Sequence, residues 1–154
     1  MTNRALLLDT NLLVLFVVGN ASREFVAKHK RTTNFAAEDF DLLTEMANQV
    51  NSLIVLPNTL AETSNLLAHA GNERMKEQVF DVFRRLIPKL FEIFVPSTDA
   101  CSIKEFQRLG LTDAAILHCL REGGRHLLTA DLPLWHAATS LGFSATNFNH
   151  LRNY

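Results

Sequence analysis

Short apolar runs of strand length alternate along the chain with longer segments of helical periodicity. These runs are rich in Leu, Ile and Val, and Asp, Pro or Gly closes most of them. Because strands separated by helices favour parallel pairing, the alternation predicts a three-layer α/β/α sandwich around a mostly parallel central sheet. The expected strands are residues 5–8, 52–56, 91–95, 125–130 and 143–148.

Segments of helical periodicity lie between the strand candidates. Pro57 suits the first turn of a helix, because its fixed φ is helical and its missing N–H would have no partner there. Thr112 is expected to cap a helix that begins at Asp113, and Gly123 with Gly124 should end it. Helices are predicted after Asp9, from Pro57 onward, and over residues 72–86, 113–121 and 132–141.

Length and composition indicate one globular domain over residues 1–154. The chain is 47% hydrophobic and 20% charged, which is typical of a folded protein and not of a disordered one. The net charge of −1 exerts no strong pull on a polyanion, so any contact with nucleic acid must come from a local patch or a bound metal. Cys101 and Cys119 lack zinc-site spacing and are expected as buried reduced thiols, although one disulfide remains possible.

The N-terminal apolar segment superficially resembles a signal peptide. Asp9, Thr10 and Asn11 interrupt it where such a peptide would be continuously apolar. The run is also much shorter than the roughly 20 residues that span a membrane. We therefore expect a cytoplasmic protein without a membrane segment, in which a strand ends at Asp9 and a buried helix follows.

Four acidic residues fall at strand ends or helix starts. Asp9 follows the first strand and Asp131 the fourth, Glu62 lies about one turn into the helix after the second strand, and Asp113 is near a helix N-terminus. Sites in parallel sheets form at the carboxyl ends of the strands, so these side chains are expected to converge. Clustered carboxylates repel one another, and a hard cation such as Mg²⁺ or Mn²⁺ relieves that repulsion.

Each acid taken alone has a simpler interpretation. Asp9, Asp113 or Asp131 could be an ordinary helix cap, and Glu62 a solvated helix residue. Only the ordered set favours a metal site. Asn11 and Thr129 could orient the carboxylates or a water, or serve equally well as a helix cap and in strand packing.

Four motifs carry these acids in order, and together they resemble the PIN-domain nucleases. The motifs are LLLDTNLL at residues 6–13, LPNTLAETSNLL at 56–67, LTDAAI at 111–116 and LTAD at 128–131. Any one of them is weak evidence, but the ordered set is fairly specific and spans almost the whole chain. The size is most similar to that of VapC-type toxins from bacterial toxin–antitoxin pairs.

The resemblance implies a 5′-nuclease-like fold and a metal-dependent endoribonuclease. Its catalytic and metal-binding residues would be Asp9, Glu62, Asp113 and Asp131, with one or two Mg²⁺ or Mn²⁺ ions and single-stranded RNA as substrate. An antitoxin partner and a homodimer are also implied. Two alternatives remain: an RNA-processing nuclease that is not a toxin, and a catalytically silent scaffold that binds RNA or protein.

Apolar surface and basic residues suggest where partners bind. Leu12, Leu13, Phe16 and the helix over residues 72–86 carry more apolar surface than one small core consumes, which favours the homodimer. Among the basic residues, Arg84 and Arg85 are expected to be solvated, whereas a short run could contact substrate phosphates. The residues of that run are Lys28, Lys30 and Arg31.

Overall fold

Five parallel strands form one sheet in the part of the chain that the computed structural model describes, residues 4–152. The spatial order is β3-β2-β1-β4-β5, and every neighbouring pair is parallel. The prediction of a mostly parallel α/β sheet is confirmed. The strands are β1 (Ala5–Leu8), β2 (Ser52–Val55), β3 (Phe91–Glu92), β4 (Arg125–Thr129) and β5 (Ala145–Asn147).

The chain changes direction across the sheet at β1. After β1 it builds β2 and β3 on one side, and it then crosses to build β4 and β5 on the other. Leu7 of β1 is in register with Ile54 on one neighbour and with Leu127 on the other. Such a switch point leaves a crevice outside the carboxyl ends of the central strands, because the connections on either side leave in opposite directions.

Helices cover both faces of the sheet. Successive residues of β1 separate into two cores, with Leu6 and Leu8 in one and Leu7 in the other, as the alternation of side chains along a strand requires. The three-layer arrangement follows from covering both faces. The helices are α1 (Thr10–Ala21), α2 (Ala37–Asn48), α3 (Pro57–Leu67), α4 (Glu73–Leu86), α5 (Ser97–Ala100), α6 (Phe106–Leu109), α7 (Leu111–Leu120) and α8 (Leu132–Ser140).

Helix α1 is apolar on nearly every side because it lies inside the molecule. It contacts α2, α3 and α4 as well as the sheet. Leu12 and Leu13 are fully buried, and Phe16 is partly buried against the same core. Helix α4 also turns its apolar side chains into that core. Leu12 and Leu13 therefore leave no apolar surface for a homodimer, whereas Phe16 and part of the apolar side of α4 stay partly exposed, and the homodimer stays a prediction.

A close approach joins α1 to α2. Gly19 is buried in α1, and a Cβ atom at this position would overlap the ring of Phe40 on α2. The ring occupies the space that any other residue at Gly19 would need. Glycine is thus required here for packing, while its backbone is helical.

Several predicted boundaries differ from those of the structure. The predicted strands 91–95 and 143–148 shrink to β3 and β5, and the predicted helix start at Asp113 moves back to Leu111. Gly110, with φ of 89°, takes the N-cap position expected for Thr112. Helices α2, α5 and α6, and the 3-10 helix Arg23–Ala27, are additional to the predicted elements.

The two cysteines differ in environment, and neither forms a disulfide. Cys119 is buried as expected, whereas Cys101 is exposed, so that half of the prediction is wrong because Cys101 ends the short surface helix α5. Among the helices of residues 4–152, none has both the length and the apolar character needed to cross a bilayer.

Candidate metal centre

The four predicted acids line one cleft of about 280 Å³. It lies at the carboxyl ends of β1 and β4, at the crevice where the strand order reverses. Asp9 comes from the β1–α1 junction, Glu62 from α3, Asp113 from α7 and Asp131 from the β4–α8 junction. The parallel topology therefore brings together residues that lie as far apart in sequence as Asp9 and Asp131.

Asp9 is almost entirely buried and tightly held. It caps α1 by accepting a hydrogen bond from the Leu12 N–H at 3.1 Å. Its other oxygen accepts from the Ala130 N–H at 3.2 Å and from the hydroxyl of Thr129. Burial nevertheless raises the pKa of Asp9 to about 6, since the three donors only partly compensate for lost hydration.

Asp113 carries the larger electrostatic penalty. Its pKa is raised to about 7, first by burial and then by the negative charges of Asp131, Asp9 and Glu62. No donor in residues 4–152 hydrogen-bonds to its carboxylate. The other three acids therefore lie within electrostatic reach of Asp113, which makes Asp113 the carboxylate most in need of a cation.

Glu62 is exposed but held at both oxygens. The hydroxyl of Thr10 donates to one oxygen at 3.5 Å, and the hydroxyl of Thr112 donates to the other. These bonds connect α3 to the first turns of α1 and α7. Sequence patterns do not identify Thr10 or Thr112 as site residues, because their roles depend on how the three helices pack.

Asp131 caps α8 with one carboxylate oxygen. That oxygen accepts from the Leu134 N–H at 3.0 Å, and the Asp131 N–H donates to the hydroxyl of Thr129 at 2.9 Å. The simple cap interpretation thus holds for Asp131 as it does for Asp9. In both residues the cap bond uses one lone pair of one oxygen, so capacity to bind a cation remains.

The remaining predicted residues divide between the cleft and other surfaces. Thr129 contacts Asp9 directly, whereas Asn11 is exposed on the rim and makes no hydrogen bond through its side chain within the described residues. Lys28 is exposed and lies outside the cleft. Lys30 and Arg31 line a different, larger cleft.

The donor set fits a hard divalent cation. The cleft offers carboxylate oxygens, and burial and neighbouring charge raise the pKa of two of its carboxyl groups, an effect that a bound cation would offset. Over residues 4–152 no group of three or more His, Cys, Asp or Glu side chains is arranged as a ready-made metal site. Mg²⁺ does not require one, because it usually keeps several waters and binds through one or two carboxylates.

No family model matches the chain, and no curated protein is significantly similar to it. Its function must therefore be inferred from the residues of the cleft and their surroundings.

Proposed function

We propose that the protein is a metal-dependent endoribonuclease that hydrolyses RNA with Mg²⁺ or Mn²⁺ bound by Asp9, Glu62, Asp113 and Asp131. The observation that carries this proposal is the convergence of four carboxylates in one cleft, where burial and then the charges of the other three acids raise the pKa of Asp113. A stable protein with no use for a cation gains nothing from such repulsion. RNA as the substrate follows from the resemblance of the four motifs to PIN-domain nucleases.

Each carboxylate would have a distinct part in the reaction. Bound divalent cations lower the pKa of a coordinated water and neutralise charge on the phosphate and the leaving oxygen. Asp113, which has no hydrogen-bond partner in the described residues, and Asp9, which is fixed by three donors, would be direct ligands. Glu62 and Asp131 would bind directly or through water, with the hydroxyls of Thr10 and Thr112 holding Glu62 in place.

The biological role proposed for this nuclease is that of a toxin neutralised by an antitoxin protein. The VapC-like size and motif order support it. An RNA-processing role uses the same chemistry and differs only in the consequence for the cell. The expected homodimer and the cytoplasmic location stay predictions, which light scattering of the purified protein and cell fractionation test.

The decisive experiment is cleavage of labelled single-stranded RNA by the purified protein. Wild type should cleave with Mg²⁺ or Mn²⁺, lose activity in EDTA, and be inhibited by Ca²⁺, whose larger radius tolerates looser geometry. Asp113→Asn should reduce the rate by about 10²- to 10³-fold, on the scale of removing one charge-stabilising group. Asp99→Asn is the matched control, because Asp99 is exposed on α5 and does not line the cleft. The Asp99→Asn protein should cleave at the wild-type rate.

Two outcomes would contradict the proposal. Cleavage that persists in EDTA would exclude the metal mechanism. A folded wild-type protein that binds RNA but never cuts it, whichever divalent cation is supplied, would instead support the silent scaffold.

A further inference from the structure

A second and larger cleft, of about 740 Å³, lies between the loop after the first 3-10 helix and the start of α4. Three cationic side chains line it, Lys30 and Arg31 from the loop and Lys76 from α4, against one exposed acid, Glu73. Its charge is thus opposite to that of the carboxylate cleft. A local basic patch on a chain of net charge −1 needs a specific explanation.

The cations of this cleft are not neutralised by protein carboxylates. Within residues 4–152, Lys30, Arg31 and Lys76 take no part in an ion pair. The guanidinium of Arg31 donates instead to Nδ1 of His69, at 3.1 Å from Nε and 2.6 Å from one terminal nitrogen. Arg31 is thus oriented by a ring nitrogen and not by a carboxylate, so its charge remains available to a ligand.

The loop that presents Lys30 and Arg31 is fixed to the protein by a buried histidine. His29 is fully buried, with Nε2 at 3.1 Å from the Leu67 carbonyl and Nδ1 accepting from the Arg31 N–H at 3.1 Å. These two partners require the Nε2–H tautomer. The hydroxyl of buried Thr32 also donates to the Val26 carbonyl at 2.7 Å. The cations are therefore presented by an ordered loop, which lowers the entropy cost of binding.

A third cleft connects the basic surface to the acidic one. This cleft, of about 300 Å³, has Arg31, Asn11, Arg152 and Asn149 among its lining residues. Asn11 also lines the carboxylate cleft, and Arg31 also lines the basic cleft. The basic cleft and the carboxylate cleft are thus joined by a surface that includes Arg31, Asn149 and Asn11, while the charge of Arg152 is paired with Asp39 at 2.9 Å.

We propose that the basic cleft of Lys30, Arg31 and Lys76 binds backbone phosphates of a single-stranded RNA whose scissile phosphate occupies the carboxylate cleft. This inference rests on the proposed function for the identity of the ligand. Cations that lack carboxylate partners bind phosphodiesters and release counterions, so this contact holds RNA that the acids would otherwise repel. Between its two binding sites the RNA passes Asn11 and Arg31, which both line the third cleft.

The first test measures binding without cleavage. A labelled single-stranded RNA of about twelve nucleotides, within the range that single-strand grooves accommodate, is titrated with protein in EDTA and followed by fluorescence anisotropy. Lys30→Ala with Lys76→Ala should weaken binding about tenfold and reduce the salt slope by about 0.7 for each lost phosphate contact. The matched control is Arg84→Ala with Lys89→Ala, which removes two exposed cations, one in the last turn of α4 and one in the 3-10 helix Ile87–Lys89 that follows it, and should leave binding unchanged.

The second test uses cleavage of long and short substrates. The Lys30→Ala/Lys76→Ala protein should show a KM raised about tenfold on the long RNA at constant kcat, yet cleave a dinucleotide as well as wild type does. A structural defect would instead lower both kcat on the long RNA and the rate of dinucleotide cleavage. Circular dichroism checks the fold of the variant. If the wild-type protein and the Arg84→Ala/Lys89→Ala control bind RNA without cutting it, the proposed nuclease function is refuted. The basic cleft as a phosphate site would still be supported.

Two results would overturn the proposal. Equal RNA affinity of the two double variants would show that the basic cleft is not a phosphate site. Binding of an acidic peptide with no binding of single-stranded RNA or DNA would assign the cleft to a protein partner instead.

Discussion

The hydroxyl of Thr129 at the end of β4 donates a hydrogen bond to the carboxylate of Asp9 at the end of β1. The hydroxyl oxygen of Thr129 also accepts a hydrogen bond from the Asp131 N–H at 2.9 Å. One buried hydroxyl therefore contacts the carboxylate of Asp9 and the backbone of Asp131, two acids that follow neighbouring strands. It also favours the charged form of Asp9, because its hydrogen bond lowers the pKa that burial raises.

Replacement of Thr129 by Val should weaken the site without changing the shape of the strand. The pKa of Asp9 should rise further, so the pH at which cleavage reaches half its maximum should move upward. Loss of a buried hydrogen bond to a charged group should also cost about 1–3 kcal/mol of stability. Thr129→Ser keeps the hydroxyl and should retain the wild-type pH profile. Identical pH profiles of cleavage for Thr129→Val and Thr129→Ser would exclude a role for the hydroxyl.

The stability of the metal-free protein should fall as the pH rises. The folded-state pKa values of Asp9 and Asp113, about 6 and about 7, are raised above the ordinary 3.8. The folded protein thus keeps protons that the unfolded chain has lost. The stabilisation is fully present below about pH 4 and is lost as the pH passes through 6 and 7.

Urea unfolding in EDTA at several pH values measures this effect. At pH 8, Asp113→Asn should be more stable than wild type by about 1–2 kcal/mol, after allowance for partial exposure of the group. The advantage should disappear by pH 4, where wild-type Asp113 is neutral. Asp99→Asn should track wild type throughout, and a constant difference for Asp113→Asn across the pH range would argue against charge repulsion at the site.

Metal and protons should compete for the carboxylates. Because Asp9 and Asp113 must lose protons to bind a cation, the apparent affinity for Mg²⁺ should strengthen about tenfold between pH 6 and pH 8. Isothermal titration or Mg²⁺-dependent melting curves can measure it without RNA. An affinity that is independent of pH would place the metal elsewhere.

The contact between Gly19 and Phe40 gives a prediction whose sign reverses with context. Gly19→Ala should destabilise the wild-type protein by about 1–2 kcal/mol, because the new methyl group displaces the Phe40 ring. In a Phe40→Ala background the same change should stabilise by up to about 1 kcal/mol, because alanine has the higher helix propensity. Denaturant unfolding of wild type, the two single variants and the double variant forms a double-mutant cycle. Destabilisation of equal size in both backgrounds would exclude the clash.

Expression in bacteria tests the toxin role separately from the chemistry. Wild-type protein should arrest growth, whereas Asp9→Asn, which keeps a side-chain oxygen to cap α1, should not. Immunoblots must show similar amounts of the two proteins. Harmless expression of a protein that cleaves RNA in vitro would leave an RNA-processing nuclease.

Local sequence patterns identify the sheet because each strand is a distinct apolar run, but they do not define where the strands stop. The run from Phe91 continues to Val95, yet β3 ends at Glu92 because its neighbour β2 ends at Val55. Phe143 likewise belongs to the turn after α8, where its N–H bonds to the Ala138 carbonyl. Strand length here is a property of the pair.

The acids of the site can also be found locally, whereas their supports cannot. An Asp at the end of an apolar strand is visible in sequence, and parallel topology then places Asp9 beside Asp131. The contact between Thr112 and Glu62 spans 50 residues and exists only once α3 and α7 are packed. The residue type and position of Thr112 suit a helix cap as well as they suit a contact with Glu62, so the sequence does not distinguish the two roles.

The hydrogen bond between Thr129 and Asp9 joins residues that are 120 positions apart, which has a consequence during synthesis. A ribosome completes Asp9, Glu62 and Asp113 well before β4 emerges. Until β4 pairs with β1, those three acids have neither Asp131 nor the hydroxyl that orients Asp9. Under the proposed function, a nascent or prematurely terminated polypeptide is therefore inactive towards the messenger from which it is being translated. On that proposal, the site is assembled only after β4 has paired with β1.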